Sequence, residues 1–190
     1  MTDEQRLILK IVAGLLDYPG RPEFWRRADE RLSLADELDS RLGDTIRGFK
    51  HSGSLELEKM YVQTFDFDEK CSLYVTAHEL GDSRDRGQAL IALTELYRQT
   101  GHEVPDDQIA DFLPILLEWV AVYPELVEAS LGTRVGQVAR HLADHLRADH
   151  LYHSLFLLVV EVFGPADRPD SFSGPEQPDL ADLPYPIEYP

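Results

Sequence analysis

The sequence predicts an all-α protein, a single-domain bundle of about eight helices joined by short connections. Three observations carry that expectation. Apolar residues recur at three- and four-residue steps through most of the chain, no paired segments alternate as strands would, and breaks such as Tyr18-Pro19-Gly20 separate the periodic stretches. At 190 residues with 43% hydrophobic content, the chain can bury one proper core.

Leu7, Ile8, Ile11, Val12, Leu15 and Leu16 form the first apolar stripe. Thr2 and Gln5 make a capping box in front of it, and Tyr18-Pro19-Gly20 ends it. Pro22 starts a second helix with Phe24, Trp25, Ala28, Leu32, Ala35, Leu38 and Leu42 on its stripe. This helix is expected to run to about Lys50 with a break near Gly43. Ser54 is placed to cap a third helix over Leu57, Met60, Tyr61 and Thr64. Regularity stops at Phe65-Asp66-Phe67-Asp68-Glu69, and a short helix or extended turn is expected through Val75.

Gly81-Asp82-Ser83 reads as a loop with capping residues before a helix carrying Ala89, Leu90, Leu93, Leu96 and Tyr97, closed by Gly101. After Val104-Pro105-Asp106-Asp107, the next stripe is Phe112, Leu113, Leu116, Leu117 and Val120. A proline in mid-helix costs about 3 kcal/mol, so Pro114 belongs in the first turn, with Asp111 as the cap. Tyr123-Pro124 separates a helix with Val135, Val138, Ala139, Leu142 and Leu146, and the last helix, Leu151 to Phe163, is apolar nearly all round. The domain is expected to span 1–164. Beyond it, 165–190 hold seven of the twelve prolines and six acids against one base, the composition of a mobile tail.

The net charge of −17 argues against nucleic acid and anionic lipid as partners, since both need clustered Lys and Arg. It favours a cationic polypeptide. One cysteine, Cys71, rules out an intrachain disulfide and a thiolate metal cage. The acidic start Met1-Thr2-Asp3-Glu4 is unlike a secretory signal, and the densest apolar run, Leu155 to Val160, is far short of the roughly 20 residues of a membrane span. A cytoplasmic protein without membrane insertion is expected.

His141, His145 and Asp149, spaced by four, could share a helix face and hold zinc, but without a His-Glu-x-x-His pattern a solvated face is the preferred reading. Catalysis by that trio as a small metal-dependent hydrolase is the least favoured function. Cys71 reads as a buried structural residue, and no phosphate-binding glycine loop is present. Two segments could be either helix starts or binding elements. In His78-Glu79-Leu80-Gly81-Asp82-Ser83-Arg84-Asp85-Arg86-Gly87, capping and charge pairing are, on composition alone, the preferred explanation over a binding role. In Asp111-Phe112-Leu113-Pro114-Ile115-Leu116-Leu117-Glu118, an acid beside apolar residues would also suit an incoming amphipathic helix.

These two segments, taken in order after Tyr61-Val62-Gln63-Thr64-Phe65-Asp66, resemble the NarJ branch of the redox-enzyme maturation chaperones. The resemblance covers Met1 to about Phe163 and departs at Phe112, where many relatives carry histidine. It implies a TorD-like helical fold and no catalysis or resident prosthetic group. By the same resemblance, the chain would hold the catalytic subunit of a respiratory nitrate reductase, through its basic N-terminal leader, competent for molybdenum cofactor insertion. A chaperone of the same fold for a trimethylamine oxide or dimethyl sulfoxide reductase is the alternative. The peptide-binding residues it implies are Tyr61, Phe65, His78, Arg84, Arg86, Asp111, Leu113, Pro114, Leu117 and Glu118. Of these, Arg84 and Arg86 are expected to be partly structural. The protein is expected to be a monomer or a homodimer exchanged at the seam near Val104.

Overall fold

Thr2 and Gln5 satisfy each other's backbone donors, at 3.1 and 2.8 Å, so the capping box read from the sequence forms. The structure is a computed structural model describing residues 1–164, and the tail expected over 165–190 lies outside the described residues. The capped helix, α1 (Asp3–Leu15), buries Leu9, Ile11, Val12, Ala13 and Leu15. Its stripe is rotated from the expected one: Leu7 is 38% exposed and Leu9 fully buried, because α1 is covered by several helices at once.

α2 (Pro22–Leu38) begins with Pro22 in its first turn, as expected. The break that follows is at Asp39, not Gly43. Asp39 is extended, its carboxylate accepts from the Arg41 backbone N–H at 2.9 Å, and α3 (Ser40–Ser52) starts there. Gly43 lies inside α3 for a different reason: a β-carbon there would overlap the Asp36 carboxylate, which pairs with Arg47 across the elbow at 2.9 Å. Arg41 fixes the elbow to the last helix by pairing with Asp39 and Glu161, both at 2.7 Å.

α4 (Ser54–Tyr61) is preceded by Gly53 at φ +79°, and Ser54 bonds Glu58 instead of capping the helix. The helix does not stop at Phe65 but widens into a π turn, Val62–Asp66. That widening seats Phe65 with ring centroids 5.0 Å from both Tyr61 and Tyr152, in an aromatic layer that continues to Phe49 and Phe156. A 3₁₀ turn (Glu69–Cys71) then leads to α5 (Val75–Leu80), a helix the sequence pattern did not separate from its surroundings.

α6 (Arg84–Thr100) is closed by Gly101 at φ +68°, as expected. α7 (Leu113–Val122) is buried except at Glu118 and Val122 and carries Pro114 in its first turn. A 3₁₀ turn, Pro124–Leu126, separates it from α8 (Ala129–His145), and α9 (His153–Phe163) packs on α8, α1 and α3. Among the described residues there are nine α-helices and no strand. Only an isolated antiparallel bridge joins Tyr74 to Phe112.

Candidate peptide-binding site

α6 is held at one end. Tyr97 Oη donates to the Ala110 carbonyl at 2.9 Å, and Thr100 receives Trp119 Nε1 at 3.0 Å and Tyr123 Oη at 2.9 Å. Tyr97 is the helix's one buried residue. The apolar face ahead of it, with Leu93 and Leu96, is only partly covered, and Ile91 is 65% exposed. A helix that leaves its stripe open this way leaves room for another apolar surface.

The opening is a cleft of about 260 Å³ between α6 and the start of α8. Ala89, Ala92, Leu93 and Leu96 form one wall, Leu126 and Leu131 the other, and Leu116 of α7 with Val75 and Thr76 of α5 the floor. Leu126 is 45% exposed at its edge. Glu128, Ser130 and Arg134 complete the lining, and Arg134 lies 3.3 Å from Glu79 Oε2. Burial raises the Glu79 carboxyl above its usual range, and Arg134 partly offsets that. The charged lining is thus one acid and one base, and Arg134 is already engaged by Glu79 next to the cleft. The groove is apolar along both walls, with its charged residues on the α8 side of the lining.

Asp111 sets the floor from below, and not in the role expected of it. Phe112, not Asp111, occupies the cap position of α7. Asp111 is fully buried and caps α5 instead: its carbonyl accepts from Val75 N at 3.0 Å, and its Oδ2 accepts from Thr76 N at 3.1 Å and from the Thr76 hydroxyl. Arg86 completes the group, with Nε donating to Thr76 Oγ1 at 3.2 Å and Nη2 3.7 Å from Asp111 Oδ2. Asp111, Thr76 and Arg86 therefore tie the loop before α7, the start of α5 and the start of α6 into one unit. Ser83 occupies the cap position of α6 without a side-chain bond.

The other expected binding residues lie apart from one another. Leu113 and Leu117 are fully buried in the core, and of α7 only Leu116 lines the cleft. Pro114 and exposed Glu118 line a different, mixed-charge cavity of about 310 Å³ beside Arg27 and Arg31. Tyr61 and Phe65 line a third, of about 330 Å³. Arg84 is exposed at the start of α6. His78 Nε2 is 2.7 Å from the Ser72 carbonyl, and its ring lies 5.1 Å from that of His141. The cleft residues Leu126, Leu131 and Arg134 were not singled out in the sequence, where their only signal is an upstream extension of the α8 stripe.

The metal reading of His141, His145 and Asp149 is not supported. The rings of His141 and His145 lie 4.0 Å apart, tilted by 41°, but α8 ends at His145 and Asp149 turns away to pair with Arg147 at 2.8 Å. Among the described residues no group of three or more His, Cys, Asp or Glu is placed to hold a metal ion. Cys71 is buried, and burial pushes its thiol up to about 11, so it is protonated at neutral pH. No helix among the described residues is long and apolar enough to cross a membrane.

Residues 29–154 match the family model of the nitrate reductase delta subunit. The chain is 29% identical over 166 residues to the probable nitrate reductase molybdenum cofactor assembly chaperone NarJ of Bacillus subtilis, covering 84% of this chain and 89% of that one. It is also 29% identical over 165 residues to the probable assembly chaperone NarW of Escherichia coli, with 86% and 71% covered. An Archaeoglobus fulgidus protein assigned as a redox enzyme maturation protein superposes with a TM-score of 0.65 at 19% identity, over 82% of this chain and 91% of that one. That likeness establishes the shared helical fold. The resemblance carried by the three ordered segments is borne out, because the match runs from Asp29 in α2 to Ser154 in α9 and takes in all three. The chain belongs to the nitrate reductase delta subunit family.

Proposed function

We propose that this chain is an assembly chaperone for a respiratory nitrate reductase, acting in the cytoplasm. It binds the basic N-terminal leader of the catalytic subunit and keeps that subunit competent for molybdenum cofactor insertion. The observation that carries the reading is the open apolar cleft between α6 and α8, on a chain of net charge −17. Family membership supports the choice of client. The leader lies as a helix in the cleft with its apolar side on Leu93, Leu96, Leu126 and Leu131. Apolar burial at about 25 cal/mol per Å² supplies most of the affinity. Glu128, Glu79 and the chain's overall charge draw in the basic leader and set its register. Asp111, Thr76, Arg86, Leu113 and Leu117 act from beneath, as positioning residues that hold α5 and the floor in place. The Bacillus subtilis and Escherichia coli relatives are named as assembly chaperones, in keeping with a cleft that binds and does not catalyse.

Titration calorimetry with a synthetic leader peptide tests the reading. Leu93→Asp and Leu131→Asp each place a charge in the apolar wall and are expected to weaken binding by at least ~10-fold, the equivalent of about 1.4 kcal/mol. Leu7→Asp, on exposed surface of α1, serves as the control and leaves affinity unchanged. Equal affinity for wild type and both cleft variants would remove the cleft from the binding site. Co-purification with the client catalytic subunit lacking its leader is expected to fail, and survival of the complex would place recognition elsewhere.

A further inference from the structure

Leu73 and Tyr74 face a second cavity, while the next two residues, Val75 and Thr76, line the cleft. This second cavity, of about 330 Å³, lies among the turn after α1, the π turn and the loop before α7. Five aromatic rings line it: Tyr18, Tyr61, Phe65, Tyr74 and Phe112. Tyr61 meets Tyr18 and Phe65 edge-on at 5.5 and 5.0 Å, and Tyr74 and Phe112 pair at 5.5 Å. Edge-on contact takes up one ring face in each pair, and Tyr61, Phe65 and Phe112 are buried, so the partly exposed Tyr18 and Tyr74 are the rings that offer a face, the negative side of the quadrupole, to a cation.

The polar groups among those rings are mostly acceptors. The Asp66 carboxylate has no hydrogen bond or ion pair among the described residues, and Gln108 Oε1 is buried without a hydrogen-bond partner. Arg21 is the one cation in the lining, and two acids already engage it: Asp107 at 2.7 Å and Asp17 at 3.2 Å. The cavity therefore stays negative. The Tyr18, Tyr61 and Tyr74 hydroxyls are all raised above their usual range, chiefly by burial, and the charge of Asp66 contributes at each. The next residues in the chain after Asp66 and Gln108 are Phe67, 80% exposed, and Ile109, 44% exposed. An aromatic, negative cavity flanked by exposed apolar side chains matches a cationic side chain carried on a polypeptide, better than a free ion.

We propose that this cavity receives an arginine side chain of the bound client polypeptide, its guanidinium stacked on the Tyr18 and Tyr74 rings and donating to Asp66 and to Gln108 Oε1. The proposal rests on the peptide-binding reading and adds to it a charged anchor that fixes which residues of the client enter the cleft. Arginine suits the cavity better than lysine. Its planar, weakly hydrated head stacks on rings and offers several donors in one plane to a carboxylate and an amide oxygen together.

The test uses the full chain, labelled with ¹⁵N and titrated with Nα-acetyl-arginine N-methylamide, its neutral citrulline analogue and the lysine compound. Arginine amide is expected to shift the amide signals of Tyr18, Asp66, Tyr74 and Gln108, and to bind at least ~10-fold more tightly than the citrulline analogue. Asp66→Asn, at an exposed position, is expected to remove most of that difference, and Gln108→Leu part of it. Equal shifts with citrulline, no effect of Asp66→Asn, or shifts confined to the α6–α8 cleft would overturn the proposal. Tighter binding of the lysine compound would overturn the choice of arginine.

Leader-peptide titrations separate this proposal from the broader one. Asp66→Asn is expected to weaken a leader containing arginine and to leave unchanged one whose arginines are replaced by citrulline, whereas Leu93→Asp weakens both. If the leader fails to bind while arginine amide still binds at Asp66, the chaperone reading fails and the cavity assignment stands.

Discussion

Asp111 Oδ2 accepts a hydrogen bond from the backbone N–H of Thr76 at 3.1 Å, so α5 is capped by a side chain 35 positions further along the chain. A cap supplied from within a helix's own segment stabilises that segment alone. This one also joins α5 to the loop before α7, and through Arg86 to the start of α6. The wall and the floor of the cleft therefore move together.

Asp111→Ala removes the cap and leaves Arg86 without its buried partner. A loss of about 2–4 kcal/mol in unfolding free energy is expected, from the lost cap and the unpaired polar groups together. Thr76→Val, which removes only the hydroxyl, should cost about 1 kcal/mol. Urea unfolding measures both. A change below about 0.5 kcal/mol for Asp111→Ala, the range of ordinary surface substitutions, would show that the cap carries no weight.

Acid should weaken the fold through its histidines. Burial, reinforced by His145 and His78, lowers His141 to about 4, and burial also lowers His78. Both lie below the ordinary value of 6.5, so the unfolded chain takes up these protons first. Their contribution to stability is complete above pH 6.5 and is lost as pH falls toward about 4. Asp17 and Glu79, raised by burial, act in the opposite direction at the lower end of that window. Urea midpoints between pH 7.5 and 5 are expected to fall for wild type and to fall less for His141→Gln. An identical slope in the variant would contradict the assignment.

Cys71 should be chemically silent while the protein is folded. Its burial and its thiol at about 11 predict reaction with a thiol-specific disulfide reagent at pH 8 at least ~100-fold slower than in urea. Absorbance of the released thiolate reports the rate, and rapid native labelling would mean that the segment after the π turn opens readily.

Two glycines should respond oppositely to alanine. Gly101 has φ +68°, where a β-carbon is strained although nothing stands within 4 Å, so Gly101→Ala is expected to cost about 1 kcal/mol. Gly87 lies within α6 with equally open surroundings and no positive φ, so Gly87→Ala is expected to stabilise the protein by about 0.5–1 kcal/mol. Thermal melts compare the two.

Much of the site was out of reach of sequence reasoning. Leu93 and Leu96 stood out as a helix stripe, but a stripe does not reveal whether a neighbour covers it. Here Leu126 and Leu131, some thirty residues on, approach without closing over them. The segment Tyr61 to Asp66 marked the family correctly, yet its π turn sets Phe65 against Tyr152, a contact outside any local window.

The sequence by itself determined the all-helical class, the capping box at Thr2, the first-turn prolines Pro22 and Pro114, and the stop at Gly101. Each depends on interactions within about five residues, so local pattern is enough. Only the tertiary structure decided that Asp39 bends the chain, that Asp111 caps α5 and not its own helix, and that α6 keeps an open face. A carboxylate satisfies whichever buried donors lie nearest in space, and an apolar face is covered or left open according to how distant helices pack.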